Sequence, residues 1–152
     1  MRTMNPTSYI IAAQRTAIGR FGGALKDVSL RDLGTVAVKD AIEKSGLSPE
    51  QIEEVLLGHV LQAGNNNIAR FCAVDAGVPF SAPALVVNQQ CASGMAAVQH
   101  ADRLIRCGDR HVVLAGGIES MSSVPFISRS ARWGAIAFAS RYMPPKPFAS
   151  TC

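Results

Sequence analysis

Short apolar runs alternate along this chain with longer stretches of helical periodicity, and that alternation is the strongest constraint on its fold. The runs Tyr9 to Ala13, Glu54 to Leu61, Ala84 to Gln90 and His111 to Ala115 read as strands. Ser29 with Asp32 starts a helix in which Leu30, Leu33, Val36, Ala37 and Ala41 recur at helical spacing until Gly46. Ser48-Pro49-Glu50-Gln51 is a second start signal, with proline at the first helical position. Asn65 to Asn67 can cap a helix over Ile68 to Ala76 that Gly77 closes. Pro79 and Pro83 mark a loop. Cys91 to Cys107 reads as a third helix, closed by Gly108. The order predicts an α/β fold with a mostly parallel sheet and crossover helices.

Composition narrows the class. The chain has 152 residues, 48% hydrophobic and 17% charged, which suits one globular domain and excludes disorder and coiled coil. No apolar run reaches the ~18 residues of a membrane span. Met1 to Ser8 does not read as a secretory signal. All 11 acidic residues lie at or before Glu119, and Arg129, Arg132, Arg141 and Lys146 supply the net charge of +4. A neutral body with a basic tail argues against a nucleic-acid face. Gly19, Gly22 and Gly23 spell neither a dinucleotide fingerprint nor a phosphate loop. Cys72, Cys91, Cys107 and Cys152 show no zinc-ligand spacing, and His59, His100 and His111 form no metal motif. The expectation is a cytoplasmic protein with reduced cysteines and no metal, although spacing alone leaves a disulfide open.

The segment from Cys91 carries the chemistry. Its first residues, Cys91-Ala92-Ser93-Gly94-Met95-Ala96-Ala97, are mostly small, and charges are absent until Asp102. Such a helix is expected to be buried on most sides, between layers that one short chain cannot supply alone. Cys91 falls where a strand ends and a helix begins. Free amides and the positive end of the helix dipole favour a thiolate there, and the same amides can receive an oxyanion. The bland reading is an inert packing cysteine. Equally bland roles fit the neighbours: Asn88 bonding within its strand, Glu119 capping or pairing locally, and Gly94, Gly116 and Gly117 allowing close backbone approach.

The run Val87-Asn88-Gln89-Gln90-Cys91-Ala92-Ser93-Gly94-Met95-Ala96-Ala97-Val98 resembles the acyl-enzyme cysteine segment of the thiolases. Arg15 to Gly23 resembles that family's first loop, Gly58 to Arg70 its second strand and adjoining loop, and Gly116-Gly117-Ile118-Glu119-Ser120-Met121-Ser122 the segment closing its first half. The resemblance covers roughly residues 8 to 126 and fades through Ala131-Arg132-Trp133-Gly134. It implies the N-terminal half of a layered αβαβα architecture with a mostly parallel mixed sheet. It implies acyl transfer between CoA thioesters with Cys91 as nucleophile. CoA and acyl-CoA are then substrates, and no cofactor is permanently bound. It implies a homodimer or homotetramer, with Gln62, Asn65, Asn66, Asn67 and Arg70 near the dimer contact.

Members of that family are more than twice this length, and their second half holds an activating histidine, a second cysteine, and an asparagine and histidine near the thioester oxygen. None of those motifs matches a position here. The chain therefore divides into a half-domain over residues 1 to 126 and a divergent, basic, proline-containing tail over 127 to 152. The expectation is a truncated thiolase half with weak or absent turnover. The alternatives are a noncatalytic half-thiolase that acts by dimerising, and a ketoacyl synthase of the same fold. The Cys-Ala-Ser-Gly-Met and Gly-Gly-Ile-Glu-Ser-Met contexts favour thiolase over synthase.

Overall fold

The computed structural model describes residues 7–61 and 67–126. Helix α1 (Leu30–Ser45) starts where the Ser29 hydroxyl accepts the Asp32 amide at 3.0 Å, and it stops at Gly46 with φ +73°. The Ser48 signal produces a single 3-10 turn, Pro49–Gln51, rather than a longer helix. Its capping box is complete, but strand β1 (Glu54–Gly58) follows at once. Asn67 caps α2 (Ile68–Asp75), and its side-chain amide also donates to the Ala84 carbonyl at 2.9 Å, fixing α2 to strand β2 (Ala84–Val87). Helix α3 (Ser93–Cys107) ends at Gly108 and leads to β3 (Val113–Gly117).

The three strands form one parallel sheet in the order β2-β1-β3. Leu56 of the central strand lies opposite Leu85 on one side and Ala115 on the other. Every residue of β1 is buried, as a central parallel strand covered on both faces requires. Val55 and Leu57 face α1 and α2, joining Leu30, Val38, Ile42, Ile68, Cys72 and Ile118 in the main core. Leu56 points to the other face, where it packs with Ala97 and Ala101 of α3.

One expectation needs correction. Tyr9 to Ala13 is extended but belongs to no strand. Ser8 bonds to Asp102 of α3, and a groove of about 560 Å³ separates this segment from the free edge of β3. Strand propensity describes how a residue fits a sheet; pairing needs an edge within bonding reach, and here the groove intervenes. Tyr9, Ile10 and Ile11 consequently stay exposed. Helix α3 is covered on one side only among the described residues, in line with layers that one short chain does not supply alone. Ser93, Ala97 and Ala101 are buried, while Met95 is 63% exposed. The divergent tail expected over 127–152, and Gln62, Asn65 and Asn66, lie outside the described residues. No helix among the described residues is long and apolar enough to cross a membrane.

Candidate active site

All three strands end toward the same side of the sheet, so the residues just beyond Gly58, Val87 and Gly117 converge. Glycine makes the convergence possible. A side chain at 58 would overlap the Ser93 carbonyl, and one at 117 would press on the Gly94 Cα. The head of α3 therefore sits directly on the ends of β1 and β3.

Cys91 occupies the connection, two residues before α3 rather than in its first turn as the sequence suggested. The turn is densely bonded. The Ala92 amide donates to Gln89 O at 3.1 Å and the Ser93 amide to Gln90 O at 3.0 Å. The buried Ser93 hydroxyl accepts from the Gln89 amide at 2.8 Å and donates to Gln90 O at 2.6 Å. Two of the amides expected to be free for an oxyanion are thus consumed by the turn itself. Gln90 has φ +52°, the only non-glycine residue with positive φ among those described. That left-handed backbone is costly for a residue with a Cβ, and it swings Cys91 outward. The Cys91 side chain is exposed.

The loop after β1 is held against this turn. Glu119 accepts the Val60 amide at 2.9 Å and the Leu61 amide at 3.3 Å. His59 is fully buried, with Nδ1 3.1 Å from both the Ile118 carbonyl and a Glu119 oxygen, and with no partner for Nε2 among the described residues. Asn88 lies beyond the end of β2 and is exposed, not buried within a strand. Its amide nitrogen donates to Val60 O at 3.4 Å, and its oxygen accepts the Gln90 amide at 3.2 Å. Glu119 pairs structurally, as its bland reading held, but with partners distant in sequence rather than local ones.

The cysteines are not equivalent. Cys72 is buried between α1 and α2, and burial pushes its thiol pKa up. Cys107 is exposed but ends α3, a full helix away from the turn at Cys91. Among the described residues no hydrogen bond joins Cys91 to a histidine or carboxylate, and Cys91 lines neither large groove. No group of three or more metal-binding side chains comes together among them. Of the interface candidates within the described residues, Asn67 caps α2, and Arg70 has a buried Nη1 with no partner among the described residues. Sequence reasoning missed the positive φ of Gln90 and the double role of Ser93. A serine three residues after Gln90, able to bond back to it, was the available signal.

The model of the family described as "Thiolase, N-terminal domain" matches residues 8–143. An acetyl-CoA acetyltransferase of Syntrophomonas wolfei is 45% identical over 126 residues, covering 82% of this chain and 32% of that protein. One from Thiocystis violacea is 46% identical over 132 residues, covering 86% of this chain and 34% of the relative. The chain thus spans about a third of the length of these curated relatives. Among solved structures, the Bacillus anthracis acetyl-CoA acetyltransferase aligns with TM-score 0.81 and 37% identity over 93% of this chain and 36% of that one. The Acat5 thiolase from Ascaris suum, solved with coenzyme A, aligns with TM-score 0.78 and 39% identity over 86% of this chain and 34% of that one. With its parallel sheet, its cysteine turn and this match over most of its length, the chain belongs to the thiolase family.

Proposed function

We propose that this chain carries the acyl-accepting half of an enzyme that transfers acyl groups between CoA thioesters, with Cys91 as the nucleophile. The observation that carries the reading is an exposed thiol presented by a strained, fully bonded turn at the head of α3, in a chain of this family. The Cys91 sulfur attacks the thioester carbonyl carbon, forming an S–C bond and a tetrahedral oxyanion. That intermediate collapses by breaking the bond to the CoA sulfur, which leaves as a thiolate. A second CoA thiolate, or the α-carbanion of a second acyl-CoA, then attacks the Cys91 thioester and restores the free sulfur. We assign the oxyanion to the Gly94 and Met95 amides, which lie in the first helical turn, where backbone N–H groups have no intrahelical partner.

Activation of the thiol falls to groups outside the described residues, so turnover by these 152 residues alone is expected to be slow or absent. Acyl-CoA is the substrate, no cofactor is permanently held, and the compartment is the cytoplasm. The full fold works as a homodimer or homotetramer, with Gln62, Asn65, Asn66, Asn67 and Arg70 near the contact.

Acyl transfer is tested by incubating the chain with radiolabelled acetyl-CoA and chasing with unlabelled CoA. The expected result is a hydroxylamine-sensitive label that the chase returns to acetyl-CoA and that Cys91→Ala abolishes. Label of equal size in Cys91→Ala would overturn the reading. The exposed outer side of α3 favours a second reading, a noncatalytic half-thiolase that dimerises. A chain that stays dimeric at low concentration yet never takes label would favour it.

A further inference from the structure

Resting on the reading of Cys91 as nucleophile, we propose that Asn88 is a positioning residue that holds the Cys91 turn in its reactive shape. Gln90 occupies left-handed backbone, which a glycine adopts freely and a residue with a Cβ resists. Something must hold it there, and two side chains do. Ser93 grips the turn from α3, through the Gln89 amide and the Gln90 carbonyl. Asn88 grips it from the other side, reaching from the Gln90 amide to the Val60 carbonyl. Val60 is itself fastened by its own amide to Glu119, beyond the end of β3. Asn88 is therefore the one described side chain that ties the nucleophile turn to the frame built by the ends of β1 and β3.

The two grips differ in what else they do. Ser93 is buried against the sheet, so its loss disturbs packing as well as the turn. Asn88 is exposed and belongs to neither core cluster. Removing its carboxamide takes away two hydrogen bonds and little else. Its effect should fall on Cys91 and spare the rest of the fold.

The test uses the whole chain and iodoacetamide, with alkylation followed at each cysteine by fragment-resolved mass spectrometry. Cys107 is exposed and remote, so it serves as the internal reference. Asn88→Ala should slow Cys91 relative to Cys107 by roughly tenfold, the size expected when a reacting atom is misplaced by about an ångström or less, with the melting temperature little changed. Asn88→Ala combined with Gln90→Gly should recover most of the lost rate, because glycine holds the positive φ without the grip. A role in general stability would lower both cysteines' protection together and would not be rescued by glycine at 90. An unchanged or raised Cys91-to-Cys107 ratio in Asn88→Ala, or no recovery in the double variant, would overturn the proposal. A Cys91 that shows this alkylation pattern yet never accepts an acetyl group would defeat the proposed function and leave the role of Asn88 standing.

Discussion

The two faces of the sheet are built differently. On one face, α1 and α2 pack on each other and on β1, with large side chains such as Leu30, Ile42, Ile68 and Val78 in a continuous core. On the other, α3 meets the sheet through Ala97, Ala101 and the single large residue Leu56, with Val87, Leu104 and Val113 partly covered. The first face holds the fold together. The second trades side-chain volume for closeness, bringing the backbone of α3 onto Gly58 and Gly117 so that the Cys91 turn is set against the strand ends. Stability and the proposed chemistry are thus divided between layers. The chemical layer is the one the described residues leave uncovered.

That division can be broken most decisively in the core. Ile68→Ala, at a fully buried site of the α1/α2 face, should cost about 2–5 kcal/mol in urea unfolding. Leu104→Ala, on the partly covered α3 side, should cost clearly less, about 1 kcal/mol. Equal costs would show that the two faces share one core. Next in size, Gly58→Ala should cost about 1–3 kcal/mol, because the added methyl forces α3 off the sheet. The accompanying sign is a changed Cys91 alkylation rate at temperatures well below melting. A Gly58→Ala chain with the same stability and the same Cys91 rate would contradict the close approach.

Smaller effects sharpen the same contrast. Replacing exposed Met95 and Val98 of α3 by serine should change stability by no more than about 0.5 kcal/mol each. It should also reduce self-association seen by light scattering. The smallest effect lies at the clasp between α1 and α2, where Arg31 Nη2 meets Asp75 at 2.6 Å and the guanidinium lies 5.0 Å from the Phe71 ring centroid. The Arg31 guanidinium holds the Asp75 carboxyl below the usual carboxylate range. A carboxyl with a lowered folded-state pKa stabilises above its unfolded value, near ~4, and that contribution is lost as pH falls through the folded value. Asp75→Asn should therefore lower stability slightly at neutral pH, converge with the unsubstituted chain once the pH falls below the folded value, and so flatten the acid limb. The pair is partly exposed, so the difference is small.

Local signals made the α1/α2 face legible. Ser29 and Gly46 bound α1, Asn67 caps α2, and the apolar run of β1 announces a strand covered on both faces. The parallel sheet followed from the alternation of elements. Tyr9 to Ala13 misled because its residues suit a strand, whereas pairing depends on an edge that lies across a groove. The site was legible in part. The family motif pointed to Cys91, and its place between β2 and α3 was readable. The bonding of the turn was not. The positive φ of Gln90 is held by Ser93 and Asn88, both within three residues, and only the tie from Asn88 to Val60 is tertiary; Gln90 itself carries no mark of it. The burial of His59 and its pairing with Glu119 depend on contacts between residues 59 and 119, beyond the reach of any local pattern.

The central claim is that one sulfur accepts the acyl group. Its most direct test is fragment-ion mass spectrometry of the chain after prolonged incubation with isotopically labelled acetyl-CoA, reading each cysteine separately. The account predicts the acetyl mass on Cys91, with Cys72 and Cys107 unmodified. Acetyl on Cys107 at an equal or greater rate, or on any side chain other than Cys91 alone, would contradict it.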